Sequence, residues 1–162
     1  MEANKLWTAY RRAVYRVFLP VGSRRPGEGF KQTGTITLDL RIGHPHKGLD
    51  GWLRRYHHAR RWTILTACNP ASMPLDAVEN AARQEALAED LRALHLPFFP
   101  GENRDESGQW PVEPSFFISG IAKPDARRLA RKYGQNAFVF GYRGEIKLFW
   151  MPPALWHDAP HS

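Results

Sequence analysis

The segment Trp62-Thr-Ile-Leu-Thr-Ala-Cys-Asn-Pro-Ala-Ser72 determines how the rest of the chain is interpreted. Its first half is apolar apart from two threonines, which is typical of a buried β-strand. Pro70 and Pro74 prevent that strand from continuing. Asp76, with Glu79 three residues later, has the pattern of a capping box, so a helix is predicted to begin there. Polar residues between a core strand and a helix start are typical of ligand sites, and we expect one here.

Length and composition indicate a globular domain. The chain has 162 residues, 43% of them hydrophobic and 24% charged, which allows one domain with a complete core. No apolar run approaches the roughly 18 residues of a membrane-spanning helix. Because no apolar signal region follows the first residues and a single cysteine cannot form an internal disulfide, we expect a cytoplasmic protein.

Basic residues are concentrated near the start of the chain. The formal net charge of +7 divides into +9 for residues 1–61, −6 for residues 62–120 and +4 for residues 121–162. A basic first third is typical of proteins that bind nucleic acid, although an arginine-rich composition alone produces the same counts. We expect no membrane partner, because a short basic amphipathic helix usually docks on its own core. If nucleic acid is bound, the expected contacts lie together on one face: Arg11, Arg12, Arg24, Arg25, Arg54, Arg55, Arg60 and Arg61.

Hydrophobic periodicity predicts an α+β fold in which a single mixed β-sheet of five to six strands has helices packed on it. Residues 1–150 form the domain in this interpretation, and residues 151–162 form a tail. The strands are predicted at residues 15–19, 35–42, 62–67, 115–121, 136–142 and 145–151. Residues 20–34 and 96–114, both rich in proline and glycine, are predicted to be loops. The helix between the strands at 115–121 and 136–142 is predicted to make a right-handed parallel crossover.

Four motifs resemble one protein family. They are Ile64-Leu-Thr-Ala-Cys-Asn-Pro70, Glu79-Asn80 with Arg83, Trp110-Pro-Val-Glu113 followed by Ser115-Phe-Phe, and Gly134-Gln-Asn-Ala-Phe138. Over residues 6–150 the chain resembles a bacterial family catalogued as a domain of unknown function, number 3293. Members tend to have Glu-Ser where this chain has Glu113-Pro114-Ser115, so the resemblance does not extend to the orientation of Glu113. The family has no established activity, so the resemblance implies a site without implying a reaction.

The polar residues at the strand and helix ends form one candidate site. Glu113 is the candidate catalytic acid or base, and Arg83 is the candidate partner of a phosphate or carboxylate group. The alternative is that these residues form a purely structural network of caps and surface pairs. The candidate ligand-binding residues are Asn69, Ser72, Asn80, Arg83, Trp110, Ser115, Gln135 and Asn136.

The geometry of this site depends on strand direction. If the strand before Asn69 runs antiparallel to the two strands that begin near Glu113 and Gln135, all three meet at one edge of the sheet. We then expect Asn69, Asn80, Glu113 and Gln135 to converge within about 12 Å, with the 96–114 segment as a wall or lid. A parallel arrangement would separate them.

Other chemistry receives less support from the sequence. Cys68 follows a buried strand, where a lone cysteine is usually a small hydrophobic residue. His44, His46, His57 and His58 lack the spacing of a metal-binding motif, so neither a metal nor another cofactor is expected.

Three functions follow as hypotheses. The first is a pocket that binds, and in an enzyme processes, a nucleotide-like or other small polar ligand by metal-free hydrolysis or group transfer. The second is a nucleic-acid-binding module that uses the basic first third of the chain. The third is a protein-interaction domain that uses some of the six tryptophans.

Overall fold

The structure, a computed structural model, describes residues 3–56 and 58–151. Within these ranges the chain forms four α-helices and seven β-strands. In chain order they are α1 (Ala3–Arg12), β1 (Val14–Arg24), β2 (Phe30–Leu40), α2 (Lys47–Arg55), β3 (Arg61–Leu65), α3 (Ala77–Ala93), β4 (Phe98–Arg104), β5 (Glu113–Ser119), α4 (Lys123–Lys132), β6 (Ala137–Tyr142) and β7 (Glu145–Trp150). The predicted tail from residue 152 onward and His57 lie outside the described residues.

All seven strands join one antiparallel sheet in the order β2-β1-β4-β5-β3-β6-β7. The α+β class is confirmed, but the predictions of a mixed sheet and of five to six strands are wrong. Both predicted loops contain strand residues: residues 20–34 extend the β1–β2 hairpin, and residues 96–114 contain β4. Pairing with distant strands therefore overrides the local turn preference of proline and glycine.

The crossover prediction is only partly correct. Strands β5 and β6 both pair antiparallel with β3, so they run parallel to each other. However, β3 lies between them, and the two strands are not hydrogen-bonded neighbours.

The predicted start of the helix at Asp76 is confirmed, and two further chain reversals follow equally local signals. The Asp76 side chain accepts a hydrogen bond from the Glu79 N–H at 2.8 Å and caps α3. Gly134 ends α4 with a φ of 66°. Arg143 and Gly144, with φ of 50° and 86°, form the β6–β7 turn. These short signals depend on neighbours in sequence, which is why the sequence alone predicts them well.

Each face of the sheet carries a hydrophobic core. α2 covers the first face with Leu49, Trp52 and Leu53, and α3 and α4 cover the second face with buried leucines. No helix among the described residues is both long and apolar enough to cross a membrane.

The sheet curls so that its two edges approach each other over the first face. The Gly43 N–H, just after edge strand β2, donates to the carbonyl of Ile146 in edge strand β7 at 2.9 Å. Tyr10 of α1 also contacts Trp150 of β7, with ring centroids 5.8 Å apart. The curled face therefore has two ends, one next to α1 and the other next to the end of α2.

The packing of Trp62 against Gly141 gives a stability prediction. These residues pair across β3 and β6, and a Cβ atom at Gly141 would lie 2.0 Å from Cε2 of the buried Trp62. We expect Gly141→Ala to lower the free energy of unfolding by about 2–3 kcal/mol, because the indole must move within a packed core. Urea denaturation measures the change.

The matched control is Gly51→Ala in α2. A Cβ atom at this position meets nothing within 4 Å, and alanine favours a helix more than glycine does. We expect Gly51→Ala to stabilise the protein by roughly 0.5–1 kcal/mol. Equal effects of the two substitutions would contradict the packing argument.

Candidate functional site

Side chains of α3 hold the segment that leaves β3. The Gln84 Oε1 accepts the N–H of Ala67 at 2.7 Å. The Arg83 guanidinium donates to the carbonyl oxygens of Ala67 and Tyr133, both at 2.6 Å, and so joins this segment to the end of α4. A polar face on α3 therefore satisfies the backbone of a buried segment that has no strand partner.

Asn69 is held in one orientation by its neighbours. Its Oδ1 accepts hydrogen bonds from the Leu75 N–H at 3.0 Å and from Nδ2 of Asn80 at 2.8 Å. In return, the Oδ1 of Asn80 accepts the backbone N–H of Asn69 at 2.9 Å. Because two donors identify the oxygen, the Asn69 Nδ2 must point the other way, where it donates to Oε2 of Glu113 at 3.0 Å.

The backbone after β3 is strained over residues 69–72, which we call the strained loop. Asn69, Ala71 and Ser72 have φ angles of 46°, 54° and 60°. Asparagine tolerates this left-handed region, but alanine and serine do so at a cost of about 1–2 kcal/mol each. Such strain persists where the surrounding structure enforces it, and it is concentrated at functional sites.

The α4–β6 connection fixes the other side of this loop. Nε2 of Gln135 donates to the Cys68 carbonyl at 2.9 Å, and Nδ2 of Asn136 donates to Oγ of Ser72 at 2.9 Å. The Tyr10 hydroxyl lies 3.0 Å from the same Ser72 oxygen. Ser72 therefore joins α1 to the strained loop.

These contacts surround a cavity of about 100 Å³, which we call the Glu113 cavity. It lies at the α1 end of the curled face, between α1, the strained loop and the β4–β5 turn. Its lining residues are Leu6, Ala9, Tyr10, Ala13, Tyr15, Asn69, Ser72, Pro74, Asn103, Arg104, Asp105, Trp110, Pro111 and Glu113.

Glu113 is the candidate proton-exchanging group of this cavity. Burial raises its pKa above the ordinary value, and the interactions with Asn69 and Thr66 counteract only part of that rise. No hydrogen bond of standard geometry joins a described residue to its second oxygen, Oε1, although Thr66 lies close enough to lower the pKa of this carboxyl. A carboxyl group with a raised pKa and one unoccupied oxygen is suited to general acid or base catalysis.

The β4–β5 turn forms a wall of the cavity. The Asp105 carboxylate accepts the N–H groups of Ser107, Gln109 and Trp110 at 3.2, 2.9 and 3.0 Å. Burial alone would raise the pKa of Asp105. The hydrogen bonds from these N–H groups and from the Ser107 hydroxyl outweigh burial, so the pKa lies below its ordinary value. Asp105 thus fixes the turn and places Trp110 beside the cavity.

Two buried oxygen atoms near Glu113 lack hydrogen-bond partners among the described residues. They are Oδ1 of Asn103 and Oγ of Ser115. Asn103 pairs with Glu113 across β4 and β5, and the pair of Gly101 and Ser115 lies two positions along the same strands. An unpaired buried acceptor is costly, and in the wall of a cavity it indicates a place for a ligand donor.

The predicted convergence is present in the geometry. Asn69 bonds directly to Asn80 and Glu113, and Gln135 bonds to the adjacent residue Cys68. The required strand directions are also present, since β3 is antiparallel to both β5 and β6.

The predicted residues nevertheless differ in their positions. Asn69, Ser72, Trp110 and Glu113 line the cavity. Asn80, Arg83, Gln135 and Asn136 instead hold the strained loop, and Ser115 is buried below the cavity. Both bonded nitrogens of Arg83 are directed at backbone carbonyls, and its pairing with a phosphate or carboxylate of a ligand stays a prediction.

Cys68, His46 and His58, which were considered for nucleophilic or metal chemistry, have defined surroundings in the structure. Cys68 is buried, and burial raises its thiol pKa. Nδ1 of His46 accepts the Leu49 N–H at 3.1 Å and caps α2. Nδ1 of His58 lies 2.8 Å from the Ser119 hydroxyl. Each group therefore has a structural explanation.

Sequence reasoning missed Tyr10, Tyr15 and Asn103. The helical spacing of Leu6, Trp7 and Tyr10 predicts only a core-facing position for Tyr10, and Asn103 lies in the segment 96–114 that is predicted to be a loop. The Tyr15 hydroxyl donates to the carbonyl of Tyr10 at 2.5 Å and so ties α1 to β1. Only the pairing of β1 with β4 brings these residues to the cavity, and no local pattern predicts that pairing.

Comparison with known proteins gives one match. No curated protein and no solved structure matches this chain. The model of a family described as "Protein of unknown function (DUF3293)" matches residues 65–138, from the end of β3 into β6. The matched segment contains Glu113 and Asn69 with the residues that hold the strained loop, whereas α1 and the basic first third lie outside it. This segment of the chain is therefore similar to the family of unknown function DUF3293.

Proposed function

We propose that the protein binds a small polar ligand in the Glu113 cavity and that Glu113 exchanges a proton with this ligand. The supporting observation is the fixed orientation of Asn69, which holds one Glu113 oxygen at 3.0 Å and leaves the other unoccupied. The strained loop maintains this orientation. It is held in turn by Asn80 and Arg83 of α3 and by Gln135 and Asn136 of the α4–β6 connection. Such support for a single hydrogen bond is typical of a pre-organised site.

The charges of the cavity favour a neutral or cationic ligand. Its lining includes the carboxyl groups of Glu113 and Asp105, while Arg104 is bonded to Glu102 at 3.0 Å. A phosphate group inside the cavity would meet these carboxyl groups without a free cation. A ligand that carries hydrogen-bond donors fits better, because Asn103 Oδ1 and Glu113 Oε1 are available acceptors. The base or sugar of a nucleotide-like molecule has this chemistry, with any phosphate outside.

Hydrolysis or group transfer is the reaction class that this site supports. Glu113 would take a proton from an attacking water or give one to the leaving group, and a raised pKa brings its carboxyl closer to neutral pH. Asn69 would keep the carboxyl in position through the reaction.

Thermal-shift measurements with a matched ligand series test the binding proposal. Nucleobases, nucleosides, nucleoside monophosphates and small amines are added separately to the full chain. At a concentration a hundredfold above its Kd, a ligand is expected to raise the Tm by about 5 °C or more. The shift should disappear in Glu113→Gln, and Glu145→Gln, a surface carboxylate paired with Lys147, should retain it.

Two outcomes would contradict this proposal. The first is that no compound in the series shifts the Tm. The second is that Glu113→Gln responds as strongly as the unaltered chain, which would place binding elsewhere.

The protein-interaction hypothesis receives less support. Trp7 is 44% exposed, but Trp52 and Trp62 belong to the first core. These two rings stabilise the fold and are not available to a partner.

A further inference from the structure

The eight arginines expected on one face are divided between the two ends of the sheet. Strand β1 ends at Arg24, and β3, which runs antiparallel to it, begins at Arg61 at the same end. The hydroxyl of Tyr56, after α2, bonds to Gly22 of β1, which brings the end of α2 there as well. Arg11 and Arg12 end α1 and lie at the opposite end, beside the Glu113 cavity. The length of β1 therefore separates Arg11 and Arg12 from the other six arginines. The six arginines at the α2 end are Arg24, Arg25, Arg54, Arg55, Arg60 and Arg61.

A cleft of about 590 Å³ opens at this end of the sheet, lined by two of these arginines, Arg24 and Arg55, and we call it the α2 cleft. Its walls include the rings of Phe30, Trp52, Tyr56 and Phe99, with Arg24 and Arg55 beside them. Among the described residues that line it, none is acidic. Its size is that of a site for a small organic group.

The aromatic rings of the cleft form a continuous array. Phe30 and Tyr56 meet edge to face with centroids 5.6 Å apart, and Trp52 lies 5.6 Å from Tyr56 and 5.4 Å from Phe99. Phe30 is 37% exposed although it is a large apolar residue. Trp52 is buried and His58 stacks on it at 4.5 Å, so Trp52 supports the array from behind, and the ring surface open to a planar ligand at the mouth of the cleft is that of Phe30 with Tyr56 beside it.

The arginines of the cleft are available to an anion. Arg24 and Arg55 are exposed and form no ion pair with any described residue. The Arg55 guanidinium lies over the Tyr56 ring at 5.6 Å, where it can contact a phosphate while the ring contacts a base. Rings beside unpaired arginines are the pattern by which proteins bind single strands without reading their sequence.

We propose that the α2 cleft binds single-stranded nucleic acid, with one base against the ring array and the flanking phosphates on Arg24 and Arg55. A strand fits better than a free nucleotide, because four further arginines lie at the same end of the sheet and one phosphate would leave them unused. This site is separate from the Glu113 cavity and does not depend on the proposed function there.

Fluorescence anisotropy with a labelled dT12 oligonucleotide tests the proposal. The full chain is expected to bind it at 50 mM salt and more weakly at 200 mM salt, since phosphate contacts release counterions. Phe30→Ala should weaken binding about fivefold or more through lost stacking. The double variant Arg24→Ala/Arg55→Ala should reduce the slope of log affinity against log salt by about 1.4.

The control removes the same charge elsewhere. Arg127 and Arg131 are exposed on α4, on the second face of the sheet, and Arg127→Ala/Arg131→Ala should leave both the affinity and the salt slope unchanged. The Tm of every variant shows whether it is folded.

Four outcomes would overturn the proposal. They are no binding at 50 mM salt, equal weakening by the α4 control, a duplex of equal length that binds as tightly, and thymidine monophosphate that binds as tightly as dT12. The last result would identify a mononucleotide site.

Discussion

Arg83→Met is expected to lower the free energy of unfolding by about 3 kcal/mol. The substitution keeps the length and apolar character of the side chain but removes both hydrogen bonds from the guanidinium. The Ala67 carbonyl, which belongs to a fully buried residue, then has no partner among the described residues. A bond from a charged donor contributes about 1.5–3 kcal/mol, and a buried carbonyl left unpaired adds its own penalty.

Arg83→Lys should recover only part of this loss. The guanidinium reaches Ala67 and Tyr133 through two different nitrogens, and a single ammonium group cannot reproduce that geometry. Urea denaturation at neutral pH measures both variants. Arg128→Met is the control, because Arg128 is exposed and its contact with Asp125 is long, at 3.6 Å. The control should cost less than about 0.5 kcal/mol.

A loss below about 1 kcal/mol in Arg83→Met would show that water or another side chain replaces the guanidinium. In that case the left-handed conformations of Ala71 and Ser72 would need another source of support. The prediction thus tests whether α3 stabilises the strained loop.

The role of α3 could be predicted from sequence to a considerable extent. Leu87 and Leu91 form the buried stripe, and tracing it back one turn at a time leads to the amides of Gln84 and Asn80. Buried amides require partners, so the pattern predicted either bonds to loop backbone or a place in a pocket. The structure shows the first: Gln84 bonds to Ala67, and Asn80 bonds to Asn69 and Leu75.

The location of the cavity could not be derived in the same way. Its far wall consists of β4 and α1, and β4 lies in a segment whose prolines and glycines predict a loop. Gly101 shows the reason for that composition, since a Cβ atom there would lie 2.6 Å from the Arg16 carbonyl of the neighbouring strand. The glycine allows close strand approach, a requirement that is visible only once β1 and β4 are paired.

The number of basic residues in the first third can be read from the sequence, but their arrangement on the protein surface cannot. Sequence proximity grouped Arg11 with Arg24, although β1 separates them by the length of the sheet. Conversely, Arg24 and Arg55 lie in one cleft because Tyr56 bonds to the end of β1. Charge patterns along a chain predict a charged face only after the strand directions are known.

The largest effect is expected for Asn69→Asp, and it should depend strongly on pH. The new carboxylate keeps the oxygen that accepts from Leu75 and Asn80. Its second oxygen replaces the Nδ2 atom that donates to Glu113 at 3.0 Å. Two carboxyl groups at this distance cannot both ionise without strong repulsion, and they titrate as a coupled pair.

The sign of the pH dependence follows from the pKa of Glu113. In the unaltered chain burial raises this pKa above the unfolded value of 4.5. The contribution of Glu113 to stability is therefore complete below pH 4.5 and is lost as the pH rises through the folded pKa. Glu113→Gln should remove this dependence, so its stability relative to the unaltered chain increases with pH.

Asn69→Asp should enlarge the same dependence. At about pH 5 the two carboxyl groups can share a proton, and the variant should lose little stability relative to the unaltered chain. At about pH 8 both groups are driven to ionise in a partly buried site, and the loss should reach about 3–5 kcal/mol. Urea denaturation at several pH values, with the unaltered chain as reference at each, measures the difference.

The double variant Asn69→Asp/Glu113→Gln is the decisive control. A glutamine at position 113 can donate its amide N–H to the new aspartate, so the hydrogen bond reverses its direction and the repulsion disappears. We expect this variant to recover most of the stability lost at about pH 8, a coupling that only groups in direct contact produce. A loss in Asn69→Asp that is the same at every pH, or a double variant with no recovery, would show that Asn69 supports the loop without acting on Glu113. Recovery would establish that the Asn69 amide controls the protonation of Glu113, the property that the proposed chemistry requires.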